Sequence, residues 1–279
     1  MKLKKYIGID LGGTNVRAGV IFNDQIISLK SSAINSTGST QEVLRQIFDV
    51  IEGLDMDSVA GIGIGVPSVV DIDKGIVYDV QNIPSWKEVP IKKILEERYN
   101  IPTKVNNDAN CFALAEKHFG KGVDHASLIG LIMGTGLAVG IIINGQIYEG
   151  SNCGAGEFGM IKYLDHHYEY YCSGQYFDHT YGISGEELYK SALAGNHQSL
   201  EIFRSYGIHL GHAIQTIMYA YDPQLIVMGG SVSKAFQFYQ ESLNEVLASF
   251  AYQKSIDRLK IRVSEIENPG VLGAAGLHY

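Results

Sequence analysis

The chain has 279 residues, of which 46% are apolar and 19% charged, with only six prolines; this excludes a disordered chain and leaves length for one large domain or two lobes. A net charge of −8, with Lys and Arg gathered only in the short KLKK run at the start, argues against nucleic acid as a partner. Three irregularly spaced cysteines, Cys111, Cys153 and Cys172, argue against a disulfide framework, and the apolar run at 6–9 is too short for a secretory signal before Asp10 breaks it, so a cytoplasmic protein is expected.

From residue 5 the pattern reads as strand, glycine turn, strand, an Asn23-Asp24 turn and a third strand ending near 29, which is a meander. Helical spacing follows over 41–53 and 91–99, while 61–67 (GIGIGVP) and 102–106 (PTKVN) read as buried strands. This alternation predicts an α/β lobe. The longest uncharged stretch, 126–148, has the length of a membrane span, but five glycines and an Asn-Gly pair interrupt it. Two strands joined by a turn fit it better, and no membrane partner is expected.

That stretch repeats the first meander. Residues 7–27 align with 129–148 through one single-residue gap and share eight identities, among them Gly8 with Gly130, Gly12 with Gly134, Gly19 with Gly140 and Asn23 with Asn144. A duplicated lobe accounts for the match. Beyond it, Ser184 and Glu187 have capping-box spacing. A long helix is predicted over about 199–221 with its stop at Asp222-Pro223, then a buried strand over 224–228, a GGSV turn, a helix from about 234, and a glycine-rich helix start in NPGVLGAAGL.

In IGIDLGGTN a strand delivers Asp10 to its end. Gly12 and Gly13 let backbone N–H groups approach an anion, and Thr14 adds a hydroxyl donor. An ordinary Asp/Gly hairpin turn fits these residues equally well. If phosphate binds there, a carboxylate beside it calls for an intervening cation, so Asp10 implies Mg²⁺ held through water. The repeat places a second such turn at Gly134, Thr135 and Gly136, with Ile132 where the carboxylate was. No P-loop motif occurs, and GIGIG has the wrong spacing for a dinucleotide fingerprint. In VNNDANCFALAEKHF, Asp108 stands where a strand meets an amphipathic helix. It can serve as an N-cap, or as a base held ionised by the helix dipole.

The motifs DLGGTN, GIGIGVPSVVD, NNDAN, GTGLAVGIIINGQIYEG, GAGEFG and LIVMGGSV, in that order between about 6 and 276, resemble those of the ROK family of sugar kinases and sugar-responsive repressors. The resemblance implies an α/β, two-lobed actin-like ATPase fold with a ribonuclease H-like core in each lobe and a ligand cleft between them. The lobes would be 1–117 and 118–279, with the last helix able to pack back on the N-terminal lobe. It also implies ATP- and Mg²⁺-dependent phosphorylation of a hexose, glucokinase-like at the 6-hydroxyl, with N-acetylmannosamine or N-acetylglucosamine as alternative substrates. By resemblance Asp108 is the catalytic base, Asp10 the Mg²⁺-side carboxylate, and Gly12, Gly13, Thr14, Gly134, Thr135 and Gly136 the phosphate turns. Gly229 and Gly230 then lie beside the adenosine, and Asn82, Asn107 and Glu157 face the sugar. Family members often dimerise, so a homodimer is open. The repressors carry an N-terminal helix-turn-helix domain, for which a first strand starting by Tyr6 leaves no room; a non-catalytic sugar sensor is the other rival.

The resemblance breaks in GAGEFGMIKYLDHHYEYYCSG, residues 154–174. Family members place a histidine after GEFG, then a C-x-C-G-x-x-G-C cluster and L-E, and the histidine and three cysteines bind zinc. Here Met160 takes the histidine position, Tyr170 and Gln175 take those of the first and third cysteines, Phe177 that of a second sugar-binding glutamate, and only Cys172 survives. Asp165, His166, His167, Glu169 and His179 offer no substitute tetrad, because adjacent histidines on a strand face opposite ways. No zinc site is expected. Met160, Tyr163, Tyr168, Tyr170, Tyr171, Tyr176 and Phe177 are instead expected to close the loop as an aromatic and thioether cluster.

Overall fold

The computed structural model describes residues 4–279; Met1, Lys2 and Leu3, and with them the first lysine of the basic start, lie outside the described residues. The first meander is β1 (Lys5–Leu11), β2 (Asn15–Phe22) and β3 (Gln25–Ala33). Its second turn holds Asn23 and Asp24 at φ of 52° and 62°, the left-handed pair that a two-residue hairpin loop requires. α1 (Thr40–Glu52) follows behind a full Ser39–Glu42 capping box, and β4 (Val59–Val66) lies parallel beside β1. β5 (Val69–Asp71), β6 (Ile76–Tyr78) and β7 (Glu88–Val89) form a small sheet of their own, from strands too short to carry a readable period. α2 (Ile91–Tyr99) leads into β8 (Thr103–Asn107), and α3 (Asp108–Phe119) starts on the next residue.

The second meander is β9 (Leu128–Met133), β10 (Leu137–Ile143) and β11 (Gln146–Ile147), which together occupy most of the uncharged stretch. No helix among the described residues is long and apolar enough to cross a membrane. A 3-10 turn (Phe158–Met160) and the hairpin β12 (Lys162–Tyr163) and β13 (His166–His167) precede α4 (Tyr168–Cys172) and α5 (Gln175–Tyr181). α6 (Gly185–Leu193) begins with the capping box read from Ser184 and Glu187, and α7 (His197–Tyr221) ends at Asp222. β14 (Leu225–Gly229), a 3-10 turn (Ser231–Ala235), α8 (Phe236–Leu247), α9 (Gln253–Arg258), β15 (Lys260–Val263) and α10 (Pro269–Gly276) complete the chain.

The two large sheets have one topology: order β3-β2-β1-β4-β8 in the first and β11-β10-β9-β14-β15 in the second, each an antiparallel meander extended by two parallel strands. The sequence repeat is therefore a repeat of architecture. The glycines common to both halves have a shared purpose, since Gly8 lies opposite Gly19 on β1 and β2, and Gly130 opposite Gly140 on β9 and β10. Each bare pair seats a helix. A Cβ on Gly8 would collide with the Val271 carbonyl of α10, and one on Gly140 with the Ala109 carbonyl of α3. The helix after the first sheet thus covers the second, while α10 returns to the first and packs Val271, Leu272 and Ala275 against Ile21 and Ala115. The two helices cross at Gly273, where a Cβ would strike the carbonyl of Cys111.

A core lies around each sheet. The first joins Ile7, Ile9, Ile62 and Ile64 to Ile47, Trp86 and Leu95; the second joins Leu131, Ile226 and Met228 to Phe203, Tyr206, Leu210 and Tyr239. Cys153, from the second half of the sequence, is buried in the first core.

Candidate active site

β1 delivers Asp10 to the rim of the first sheet, directly across from Arg17 on β2. Beneath it lies the first turn of α10, where a Cβ on Gly270 would sit 2.5 Å from the Asp10 carboxyl carbon. Burial raises the proton affinity of Asp10 and the Arg17 charge opposes the rise. The turn after Asp10 closes through Gly12 N–H donating to the Asn15 carbonyl at 2.9 Å, with Thr14 exposed. Asn82 packs on Gly13, 2.6 Å from the place a Cβ would occupy.

The matching turn in the second sheet closes through Gly134 N–H to the Gly136 carbonyl at 3.0 Å. Nothing lies within 4 Å of a Cβ built on Gly134, so this turn opens on free space, and Thr135 is exposed. Gly229 has a packing role, since a Cβ there would meet the Phe112 ring of α3 at 2.6 Å. Gly230 has φ 84°, which favours glycine.

Asn107 and Asp108 divide the tasks at the junction of β8 and α3. Asn107 is the N-cap: its Oδ1 accepts from Ala109 N at 2.8 Å and its Nδ2 donates to the Ser68 carbonyl at 3.3 Å. Asp108 is thereby the first helical residue, and its Oδ1 also accepts from Ala109 N at 2.8 Å. Burial, reinforced by the charges of Asp10 and Glu157 and opposed by backbone N–H donors, pushes its pKa up to about 6.

The segment carrying Glu157 is fastened to this junction. Cys153, at φ 57°, donates its thiol hydrogen to Asn106 Oδ1 at 3.3 Å, and the N–H of Asn107 donates to the same oxygen at 2.8 Å. Asn106 Nδ2 in turn donates to Glu149 Oε1 at 2.6 Å. Glu157 is raised by burial and then by the charge of Glu169. Asp108 thus feels the charges of Asp10 and Glu157, and Glu157 that of Glu169. A cavity of about 510 Å³ lined by Lys104, Asn106, Gln146 and Glu149 touches the Asn106 network but includes none of these four.

Residues 6–279 match the family model described as ROK family. The chain belongs to the ROK family. It is 26% identical over 310 residues to the glucokinase of Thermotoga maritima, covering 98% of this chain and 96% of that one. To the N-acetyl-D-glucosamine kinase of Vibrio parahaemolyticus it is 29% identical over 305 residues, covering 98% and 99%. Its fold is similar to that of a ROK family glucokinase from Streptomyces griseus solved with glucose and AMPPNP, at TM-score 0.82 and 26% identity over 98% of each chain.

Against this ROK background the 154–177 segment is rebuilt. His166 stacks on Tyr170 at 3.9 Å between centroids, and His167 caps α4 by accepting from Tyr170 N at 3.3 Å. Tyr163 stacks on Tyr168 at 4.6 Å, and Tyr171 meets His209 of α7 at 4.8 Å. Cys172 is fully buried, its carbonyl accepts from Tyr206 OH at 2.6 Å, and burial pushes its thiol far up. Among the described residues no three His, Cys, Asp or Glu side chains gather as a metal-holding group. One member of the expected cluster is corrected: Met160 is 54% exposed because the 3-10 turn aims it outward, so the packing is aromatic and imidazole without the thioether. Phe177 is 1% exposed and packs against Phe203 and Tyr206.

The rebuilt segment grips the second glycine turn. Gly174 N–H donates to the Gly134 carbonyl at 2.7 Å, Gln175 Nε2 to the Thr135 carbonyl at 2.9 Å, and Glu169 Oε2 accepts from Leu137 N at 2.9 Å. Glu169, Cys153 and Arg17 have no part in the site read from sequence. Arg17 alone left a signal, since it stands opposite Asp10 once the hairpin register is drawn.

Proposed function

We propose that this chain is an ATP-dependent sugar kinase that transfers the γ-phosphoryl group of ATP to a hexose hydroxyl, glucokinase-like at the 6-position, with Asp108 as general base. The observation that carries the proposal is the state of Asp108. A partly buried carboxylate at the head of α3, with a pKa of about 6, is ionised at neutral pH yet takes a proton far more readily than an ordinary aspartate. As the sugar oxygen attacks the γ-phosphorus in line, its proton passes to Asp108, the bond to the ADP oxygen breaks, and sugar phosphate and ADP leave.

The remaining residues fit the same reaction. The open face of Gly134, with Gly136, Thr135 and the Gly12–Gly13–Thr14 turn, suits phosphate oxygens. Asp10, with Arg17 as the cation acting on it, suits a divalent ion held through water. Bound there, Mg²⁺ supplies neutralisation of phosphate charge. Gly229 and Gly230 are assigned to the adenosine side, and Asn82, Asn107 and Glu157 to sugar hydroxyls. The shared sheet order supports reading each lobe, 1–117 and 118–279, as a ribonuclease H-like core, with α10 returned to the first.

A second substrate reading, an N-acetylhexosamine, is favoured by the 29% identity to the Vibrio parahaemolyticus N-acetyl-D-glucosamine kinase. The deciding experiment is sugar-dependent ADP formation with Mg²⁺ and no added zinc, across glucose, mannose, fructose, allose, N-acetylglucosamine and N-acetylmannosamine. Turnover on a neutral hexose is expected. Turnover confined to the acetamido sugars moves the proposal to the second reading, and sugar binding without ADP formation identifies a sensor.

A further inference from the structure

We propose that Gln175 is a positioning residue for the nucleotide: it fixes the second glycine turn so that the N–H groups of Thr135 and Gly136 face the ATP phosphates. The inference rests on the reading of that turn as a phosphate site. It gives a task to the position aligned with the third zinc-binding cysteine, and it ties the rebuilt segment to the nucleotide.

The turn is held by its carbonyls. Gly174 N–H donates to that of Gly134 at 2.7 Å, and Gln175 Nε2 to that of Thr135 at 2.9 Å. A Cβ on Gly174 would stand 3.0 Å from the Gly134 oxygen and 3.5 Å from Val232 Cγ2, so bare backbone at 174 lets the segment come this close. In a trans peptide the C=O and the N–H that follows it point in opposite directions. No peptide bond among the described residues is cis. Drawing the two carbonyls toward 174–175 therefore turns the N–H groups of Thr135 and Gly136 to the other side, where a Cβ on Gly134 would meet nothing within 4 Å.

Both N–H groups are left for a ligand. Thr135 and Gly136 lie between β9 and β10, outside the strand ladder, and among the described residues neither N–H donates to an acceptor of the protein. The next one along, Leu137 N–H, is taken by Glu169 Oε2 at 2.9 Å, which limits an anion to the first two. Consecutive N–H groups on one side of a turn suit phosphate oxygens, and they bind tightly only when their direction is set beforehand. Gly134 is held by backbone, whereas Thr135 is held by one side chain. Gln175 is exposed, and its neighbours Tyr176 and Phe177 carry the packing of α5. Its amide makes this one hydrogen bond among the described residues, so removing it frees the Thr135–Gly136 peptide to rotate without opening the core.

The test is a kinetic comparison of wild type with Gln175→Met, which keeps the length and loses the donor, and Gln175→Glu, which turns an acceptor toward the Thr135 carbonyl. Loss of one neutral hydrogen bond predicts a rise of about 3- to 10-fold in ATP KM for Gln175→Met, with sugar KM within about twofold. Gln175→Glu should raise ATP KM further. Adenosine, which has no phosphate, should inhibit wild type and the Met variant with equal Ki, whereas a residue that only braces the fold would weaken both ligands alike. An unchanged ATP KM in the Met variant, or a loss shared by sugar KM or by adenosine, overturns the inference. If wild type phosphorylates no sugar, the kinase reading falls by itself. Calorimetric binding of AMPPNP with Mg²⁺ then decides Gln175: weaker binding by the folded Met variant supports it, and equal binding, or none by wild type, overturns it.

Discussion

The carboxylate of Asp10 rests on Gly270, at the first turn of a helix that begins 259 positions after Asp10. With no side chain there, the start of α10 comes up beneath the charge. Gly270→Ala introduces a Cβ 2.5 Å from the carboxyl carbon, and Asp10 must move. A displacement of this kind predicts about a 100-fold fall in kcat. A Mg²⁺ titration of kcat in the variant checks it, with a raised Mg²⁺ requirement expected and circular dichroism confirming the fold.

Asp108→Asn is expected to lower kcat by about 10²- to 10⁴-fold while leaving sugar Kd nearly unchanged, since the base goes and the shape stays. In wild type the ionised form is the competent one, so kcat/KM should rise with pH and level off above about 6. Profiles of kcat/KM between pH 5 and 8 test the assignment, which fails if the slope below 6 is absent.

The same residue predicts a stability effect of opposite sign. Its folded pKa lies above the unfolded value of 3.8, so the folded state binds the proton more tightly, and this contribution is lost as pH rises through about 6. At pH 7 the ionised carboxylate costs at most about 3 kcal/mol. Asp108→Asn should therefore melt higher than wild type at pH 7 and lose that advantage near pH 4, as thermal melts at the two pH values will read.

Zinc should be dispensable. Cys172 is enclosed by the α7 packing, Tyr206 OH holds its carbonyl, and His166 and His167 are occupied by Tyr170. Elemental analysis should find far less than one zinc per chain, and a chelator should not move the melting temperature. A stoichiometric metal with chelator-induced unfolding would defeat this.

Cys153→Ala removes the thiol bond to Asn106 Oδ1 and the sulfur that Asn110 Nδ2 approaches at 4.0 Å. A loss of about 1–3 kcal/mol in chemical denaturation is expected, with a larger proportional loss in kcat/KM because the bolt lies beside Asp108. In the native wild type the thiol, buried and raised to about 11, should resist thiol reagents that react after unfolding.

How far the sequence could be read depended on distance along the chain. The two meanders were legible because three glycines and the turn asparagine recur within about twenty residues in both halves. Asp108 was legible as a strand-to-helix junction, although the cap falls one residue earlier, on Asn107. Glu169 was not, because the residue it serves, Leu137, is 32 positions away, and its place depends on bare backbone at Gly136 and Gly159. Cys153 was hidden for the same reason, its partner Asn106 being 47 positions back. Met160 misled because composition assigns a thioether to the interior, whereas a single 3-10 turn decides which way it points.

The exchange of helices between the sheets has a consequence for how the protein is made. The glycine seat on β1 and β2 is filled by α10, so a ribosome that has already released the whole first sheet still holds the piece that covers it. Until residues 269–276 emerge, Ile21 and its neighbours face solvent, and the first half waits, unsealed, for the last helix. Biogenesis of this chain is thus a race between synthesis of the second half and capture of the first by chaperones or by other unfinished copies.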